Sequence, residues 1–159
     1  DMARQFDKPF YHLPITAETK QAQEAEIKRL LAEFDIDLIV MARYMQILSE
    51  DFVTEFSGRI INIHHGFLPA FQGAKPYHQA YERGVKIIGA TAHYATAELD
   101  EGPIIAQDIQ HVQHDNSPQD LVMMGKDIER IVLARAVKAH IEHRIIINGR
   151  RTIVFSEGA

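Results

Sequence analysis

A chain of 159 residues with 46% hydrophobic and 25% charged side chains is long enough to bury a core and ordinary for one globular domain. Its net charge of -5 argues against wrapping nucleic acid, and the absence of cysteine excludes disulfides, thiolate zinc sites and cysteine nucleophiles. No apolar run approaches the roughly 20 residues of a membrane span, and the lack of cysteine fits a cytoplasmic setting.

Residues 1–15 read as irregular, with an extended piece over 9–14. Thr16 or Thr19 caps a helix expected to reach about Phe34, with Ala22, Ala25, Leu30, Leu31 and Phe34 near helical spacing. Residues 37–42 form a continuous apolar run, as expected of a strand buried on both faces, and 43–48 form the loop at its carboxyl end. Ser49, followed by Glu50 and Asp51, starts a short helix to Phe56, and a strand follows over 59–64. Pro76 opens a helix to Arg83 that Gly84 stops. Residues 85–95 and 103–112 read as an antiparallel strand pair joined by an acidic loop over 96–102. Ser117, Pro118 and Asp120 make a capping box for a long helix to about His140, with Leu121, Met124, Ile128, Ile131, Ala134, Val137 and Ile141 along one stripe. Two β-prone runs over 144–155 flank Asn148-Gly149, a hairpin signal.

Strand, helix, strand in alternation predicts an α/β domain with a mostly parallel sheet. In such sheets ligands sit outside the carboxyl ends of the strands, and residues 45–48 and 62–65 lie at two such ends. Asn62 and His64 are two apart on a strand and share a face. Acyl or formyl transfer needs a donor to the carbonyl oxygen, a group that moves protons near neutral pH, and a carboxylate to orient or polarise the imidazole or the attacking water. Asn62, His64 and Asp100 supply the three. Spacing alone leaves a plain alternative open, in which Asn62 caps a strand end, His64 is a satisfied core imidazole and Asp100 is a solvated turn residue.

The neighbours divide in the same way. His65 is a pocket wall or a loop residue bonded to backbone, and Gly66 allows close approach or positive φ. His93, on a strand facing the crevice, is a partner behind the site or a structural histidine. Tyr77 and His78 pack in the first turn of their helix. His140 and His143 lack a third ligand at metal spacing and read as solvated helix-end cations, and His111 and His114 stand in polar surroundings. The stretch 44–48 would present backbone groups and apolar side chains to a flat heterocycle, or is an ordinary loop. Gly73 lacks the flanking pattern of a phosphate loop and reads as a turn.

Asn62-Ile63-His64, Leu68-Pro69-x-Phe71-x-Gly73, His93 and Asp100-x-Gly102-Pro103-Ile104-Ile105 together resemble the folate-dependent formyltransferase family, over residues from about 10 to 140. Within it, the run 64–71, the run 74–80 and the ending 149–155 are similar to the branch that hydrolyses its formyl donor. Branches that formylate glycinamide ribonucleotide or methionyl-tRNA usually carry His-Pro where this chain has His64-His65. Gly66 departs from the Ser usual in the family, which removes a hydroxyl there and leaves the triad.

The resemblance implies a Rossmann-like fold, with an antiparallel strand pair and a C-terminal hairpin, over one catalytic domain spanning 1–159. It also implies that an amino-terminal ACT-type domain and a first Rossmann strand and helix are missing. The implied reaction is hydrolysis of 10-formyltetrahydrofolate to tetrahydrofolate and formate, which supplies formate for purine synthesis and balances one-carbon pools. The implied catalytic residues are Asn62, His64 and Asp100. The implied folate contacts are Met45, Gln46, Ile47, Leu48, His65, Gly66, His93, Ala97, Glu98 and Leu99. No metal or cofactor, no nucleic acid or membrane partner, a cytoplasmic location and a homo-oligomer are expected. The rival readings are formyl transfer to an amine such as glycinamide ribonucleotide, and a folate-binding module without activity.

Overall fold

The computed structural model describes residues 2–16, 18–66 and 76–158. It divides into two compact units, Asp1–Asp37 and Leu38–Ala159.

In the first unit, α1 (Met2–Gln5) is a single turn where irregular chain was expected, and α2 spans Lys20–Glu33. Thr19 takes the N-cap position of α2 without a side-chain cap bond; its Oγ1 accepts instead from the Thr16 N–H, 2.8 Å away. The expected apolar face is displaced. Gln23 and Glu24 are buried, while Ala22 and Ala25 are exposed. Alanine has little apolar area to drive burial, and Gln23 is satisfied inside because its Nε2 donates to the Leu13 carbonyl at 2.7 Å.

The second unit holds a four-stranded sheet of β1 (Ile39–Ala42), β2 (Ile60–His64), β3 (Ile87–Tyr94) and β4 (Ile104–His111), in that spatial order. β1 and β2 are parallel, and β2–β3 and β3–β4 are antiparallel. The sheet is therefore mixed, one parallel pairing to two antiparallel, with the expected antiparallel pair at β3–β4. Connecting helices are α3 (Glu50–Glu55), α4 (Pro76–Glu82) and α5 (Pro118–Ile141). A separate hairpin joins β5 (Ile145–Asn148) to β6 (Arg151–Val154). Its two-residue turn is Gly149-Arg150, one position beyond the expected Asn-Gly. Asn148 stays in the ladder opposite Arg151, and Gly149 at φ +60° fills the first turn position, where a positive φ matches the twist of the strands. Ile146, Ile147, Ile153, Val154 and Phe155 of the hairpin are exposed.

The helix caps follow from the sequence. Ser49 Oγ accepts from the Phe52 N–H, and Glu50 and Asp51 sit in the positive first turn of α3. Ser117 and Asp120 form the reciprocal capping box of α5.

α5 lies against β2, β3 and β4. Ile61 of β2, Ala90 and Ala92 of β3, and Leu121, Val132 and Ala136 of α5 are shut off from solvent. Each large aliphatic there contributes about 1.5–3 kcal/mol by leaving water. The buried stripe of α5 is Leu121, Gly125, Ile128, Val132, Ala136 and Ala139. Beyond Ile128 this departs from the expected one, and Ile131, Ala134 and Ile141 are exposed. Repeated steps of three advance only about 300° against a full turn, so the expected stripe drifts off the buried face.

β1 also departs from expectation. It is an edge strand, and Val40 is 42% exposed. A run of apolar residues shows that both faces are apolar, not that a layer covers each. The Leu68–Gly73 segment of the family resemblance, and the turn expected at Gly73, lie outside the described residues. No helix among the described residues is long and apolar enough to cross a membrane.

Candidate active site

Strand alternation puts Ile61 and Ile63 in the core beneath α5 and turns Asn62 and His64 to the opposite face. Antiparallel pairing sets His93 directly across from Asn62. The loop after β3 returns Asp100 to the same place, and its backbone adopts φ +56° to do so. Aspartate tolerates this left-handed region better than most residues, since its short side chain bonds locally.

Three elements thus converge on one carboxylate. Asp100 Oδ2 lies 3.3 Å from His64 Nδ1, and Oδ1 lies 3.5 Å from His93 Nε2. Asn62 Nδ2 is 3.2 Å from that same His93 nitrogen. Asp100 is neither solvated nor remote, and His64 is not a satisfied core imidazole. His64 Nδ1–H faces the carboxylate, while the buried Nε2 has no partner among the described residues. Burial holds the His64 pKa below its ordinary value; Asp100 pulls it back up, and His65 and His93 push it further down. A neutral imidazole with one nitrogen anchored and the other bare is a proton acceptor in waiting.

His64, Asn62 and Asp100 line a cavity of about 280 Å³ with Met45, Gln46, Ile47, His65 and Leu99. A pocket of about 40 Å³ adjoins it, bounded by Asn62, His93 and Asp100 and by Leu48, Ala97, Glu98 and Leu99. The loop after β1 and the end of β2 meet at the site, as their positions at strand ends led one to expect, and the loop after β3 joins them. The His65 ring stacks on that of His64, with centroids 5.4 Å apart and planes 12° from parallel. Gly66 is not among the lining residues. Its carbonyl instead accepts from Thr91 Oγ1 at 3.0 Å, which ties the end of β2 to β3.

Sequence reasoning missed Arg43 and the chain behind it. Arg43 lines the larger cavity, and its Nη2 lies 3.7 Å from Glu129 Oε2. Tyr77 does more than pack, because its hydroxyl donates to Glu129 Oε1 at 2.6 Å. Burial, then the Glu129 bond, raises the Tyr77 pKa well above its ordinary value and keeps the phenol protonated. The one legible signal was Gly125 inside a helix. A Cβ there would stand 2.0 Å from Tyr77 Cζ, so the glycine makes room for the ring.

His140 is likewise corrected. It is no solvated cation, because its Nδ1 is hydrogen-bonded to the Tyr94 hydroxyl at 2.8 Å, and burial lowers the His140 pKa. His78, His111, His114 and His143 are exposed. Among the described residues, no group of three or more His, Asp or Glu has the geometry to hold a metal ion.

The formyl transferase family profile matches residues 2–137. A curated formyltetrahydrofolate deformylase from Synechocystis sp. is 59% identical over 155 residues, covering 98% of this chain and 54% of that protein. The crystal structure of a formyltetrahydrofolate deformylase from Pseudomonas syringae pv. tomato superposes with a TM-score of 0.92 at 49% identity, covering 98% of this chain and 52% of that one. The phosphoribosylglycinamide formyltransferase from Anaplasma phagocytophilum superposes with a TM-score of 0.86 at 33% identity, covering 99% of this chain and 76% of that one. The chain spans about half the length of the curated relatives it matches.

Proposed function

The chain belongs to the formyl transferase family, and we propose that it hydrolyses 10-formyltetrahydrofolate to tetrahydrofolate and formate. The observation that carries this reading is its greater likeness to proteins named formyltetrahydrofolate deformylase than to the solved transferase, combined with a neutral His64, its Nε2 without a partner among the described residues, at a cavity of about 280 Å³. His65 supports it as well. A second imidazole stacked on His64 makes the wall beside the reacting carbon polar, which suits water as the acceptor.

The chemistry runs through three side chains. A water oxygen forms a bond to the formyl carbon while His64 Nε2 takes the water's proton and Asp100 holds Nδ1–H. The carbonyl electron pair moves onto oxygen, where an Asn62 N–H receives the developing charge. The carbon–nitrogen bond then breaks, its electron pair returns to the folate nitrogen, and that nitrogen takes the proton back from His64. Formic acid leaves and ionises to formate, the currency of one-carbon and purine synthesis. The loops carrying Met45 to Leu48 and Ala97 to Leu99 hold the flat ring of the folate.

The test is formate release from 10-formyltetrahydrofolate in water, with and without glycinamide ribonucleotide. Formate should appear at the same rate in both, and formation of formylglycinamide ribonucleotide would reverse the reading in favour of a transferase. Asn62→Ala, His64→Ala and Asp100→Ala should each lower release by about 100-fold or more with unchanged circular dichroism. Near-normal turnover in His64→Ala would overturn the assignment of roles. Folate binding with no turnover in the unsubstituted protein would favour an inactive binding module.

A further inference from the structure

His93 is only 2% exposed, yet both of its ring nitrogens have partners. Nδ1 lies 2.9 Å from the Tyr94 carbonyl oxygen, an atom that only accepts, so Nδ1 carries the ring proton. In the neutral ring Nε2 is then a lone pair and needs a donor. Asn62 Nδ2, 3.2 Å away, is a donor; Asp100 Oδ1, at 3.5 Å, is not. Turning the Asn62 amide over would set its oxygen against that lone pair, acceptor against acceptor, in a buried place where an unmade hydrogen bond costs about 1–3 kcal/mol.

Two features of the chain build this arrangement. The β2–β3 register places Asn62 and His93 opposite each other. At the far side of the ring, a Cβ on Gly102 would stand 1.6 Å from the Tyr94 carbonyl oxygen and 3.3 Å from His93 Nδ1. Only glycine lets the backbone close over the bond that sets the proton.

We propose that His93 is a positioning residue acting through Asn62: with its ring proton locked on Nδ1 by the Tyr94 carbonyl, its Nε2 accepts one Asn62 N–H, holds the amide nitrogen inward, and leaves the second N–H for the formyl oxygen. His93 therefore touches neither substrate nor proton in transit. The sequence allowed His93 to be a folate contact or a partner behind the site, and this role is the second. The inference rests on the hydrolase reading above.

The test compares His93→Leu, His93→Gln, Asn62→Ala and the double variant Asn62→Ala/His93→Leu, together with nitrogen-15 NMR of the ligand-free protein. In His93→Leu, kcat for formate release should fall roughly 10- to 100-fold, in line with the loss that misorienting a catalytic group brings, while KM for 10-formyltetrahydrofolate stays within about twofold. His93→Gln, whose amide oxygen can accept from Asn62, should recover most of that loss. The double variant should be no slower than Asn62→Ala alone, because a residue acting only through Asn62 has nothing left to act on. A KM increase that carries the whole loss, additive losses in the double variant, or unchanged kcat in His93→Leu overturns the proposal. NMR separates this failure from failure of the hydrolase reading. The unsubstituted protein should show His93 protonated on Nδ1 and bare on Nε2, and an Asn62 amide resonance that moves in His93→Gln. A proton on Nε2 in the neutral ring sinks the positioning role whatever the activity. If the NMR agrees and no formate is made, the hydrolase reading is what fails.

Discussion

Replacing Gly125 by alanine pits two effects of known size against each other. Ala is favoured over Gly inside a helix by about 1 kcal/mol, so by propensity alone Gly125→Ala stabilises the protein. The structure reverses the sign. The new Cβ would stand 2.0 Å from Tyr77 Cζ and 2.4 Å from its hydroxyl oxygen. Carbon atoms in contact sit about 3.5–4.0 Å apart, so the ring must retreat by roughly 1.5 Å or more. That retreat breaks the 2.6 Å bond to Glu129, a charge-assisted bond of about 1.5–3 kcal/mol, and overpacks the α4–α5 contact by about 1–3 kcal/mol. The net expectation is a loss of about 1.5–5 kcal/mol, read as a lower urea midpoint and a Tm lower by about 2–4 °C for each kcal/mol. The same substitution made in a Tyr77→Ala background should be neutral or stabilising, because the ring it strikes is gone. A gain in stability on Gly125→Ala with Tyr77 in place would refute the reasoning. Since Glu129 also faces Arg43 at the cavity, the KM for the formyl substrate should rise in Gly125→Ala as well.

Two further expectations concern pH and capping. Burial lowers the His64 pKa, so its Nε2 stays unprotonated below the ordinary histidine value of 6.5. The acid limb of kcat/KM for formate release should therefore lie below that value; a limb above it would remove His64 as the base. The same sign governs stability. The unfolded chain takes up protons near the ordinary histidine value while folded His64 and His140 resist them, so urea midpoints should hold steady above pH 6.5 and fall below it. Ser117→Ala removes the acceptor for the Asp120 N–H at the start of α5 and should cost about 0.5–2 kcal/mol, measured by denaturant unfolding.

Local chemistry was legible in the chain itself. The capping residues Ser49 and Ser117, the helix start at Pro76 and the hairpin around Gly149 each depend on residues within a few positions of one another, and the β3–β4 pair joins strands consecutive in the chain. Asn62 and His64 could be put on one face because strand alternation is a local rule. The motifs around Asn62, His93 and Asp100 pointed to a family that the comparisons then showed.

What the sequence could not supply was which groups face each other across 30 residues or more. The Asn62–His93 bond follows from a strand register, and the placing of Asp100 beside His64 from a loop that adopts a left-handed turn at that residue. Gly102 reads only as part of a motif, Gly125 only as a glycine inside a helix, and Glu129 as an ordinary helix residue. They matter because a carbonyl, a phenol and a guanidinium approach them from other elements. Packing also decided which apolar residues are covered, exposing Val40 and Ile131 while enclosing Gln23 and His93. Short-range rules wrote the elements and the reacting groups into the sequence. The tautomer of His93, the bare nitrogen of His64 and the direction of the Asn62 amide arise only once the folded chain closes distances that no spacing rule contains.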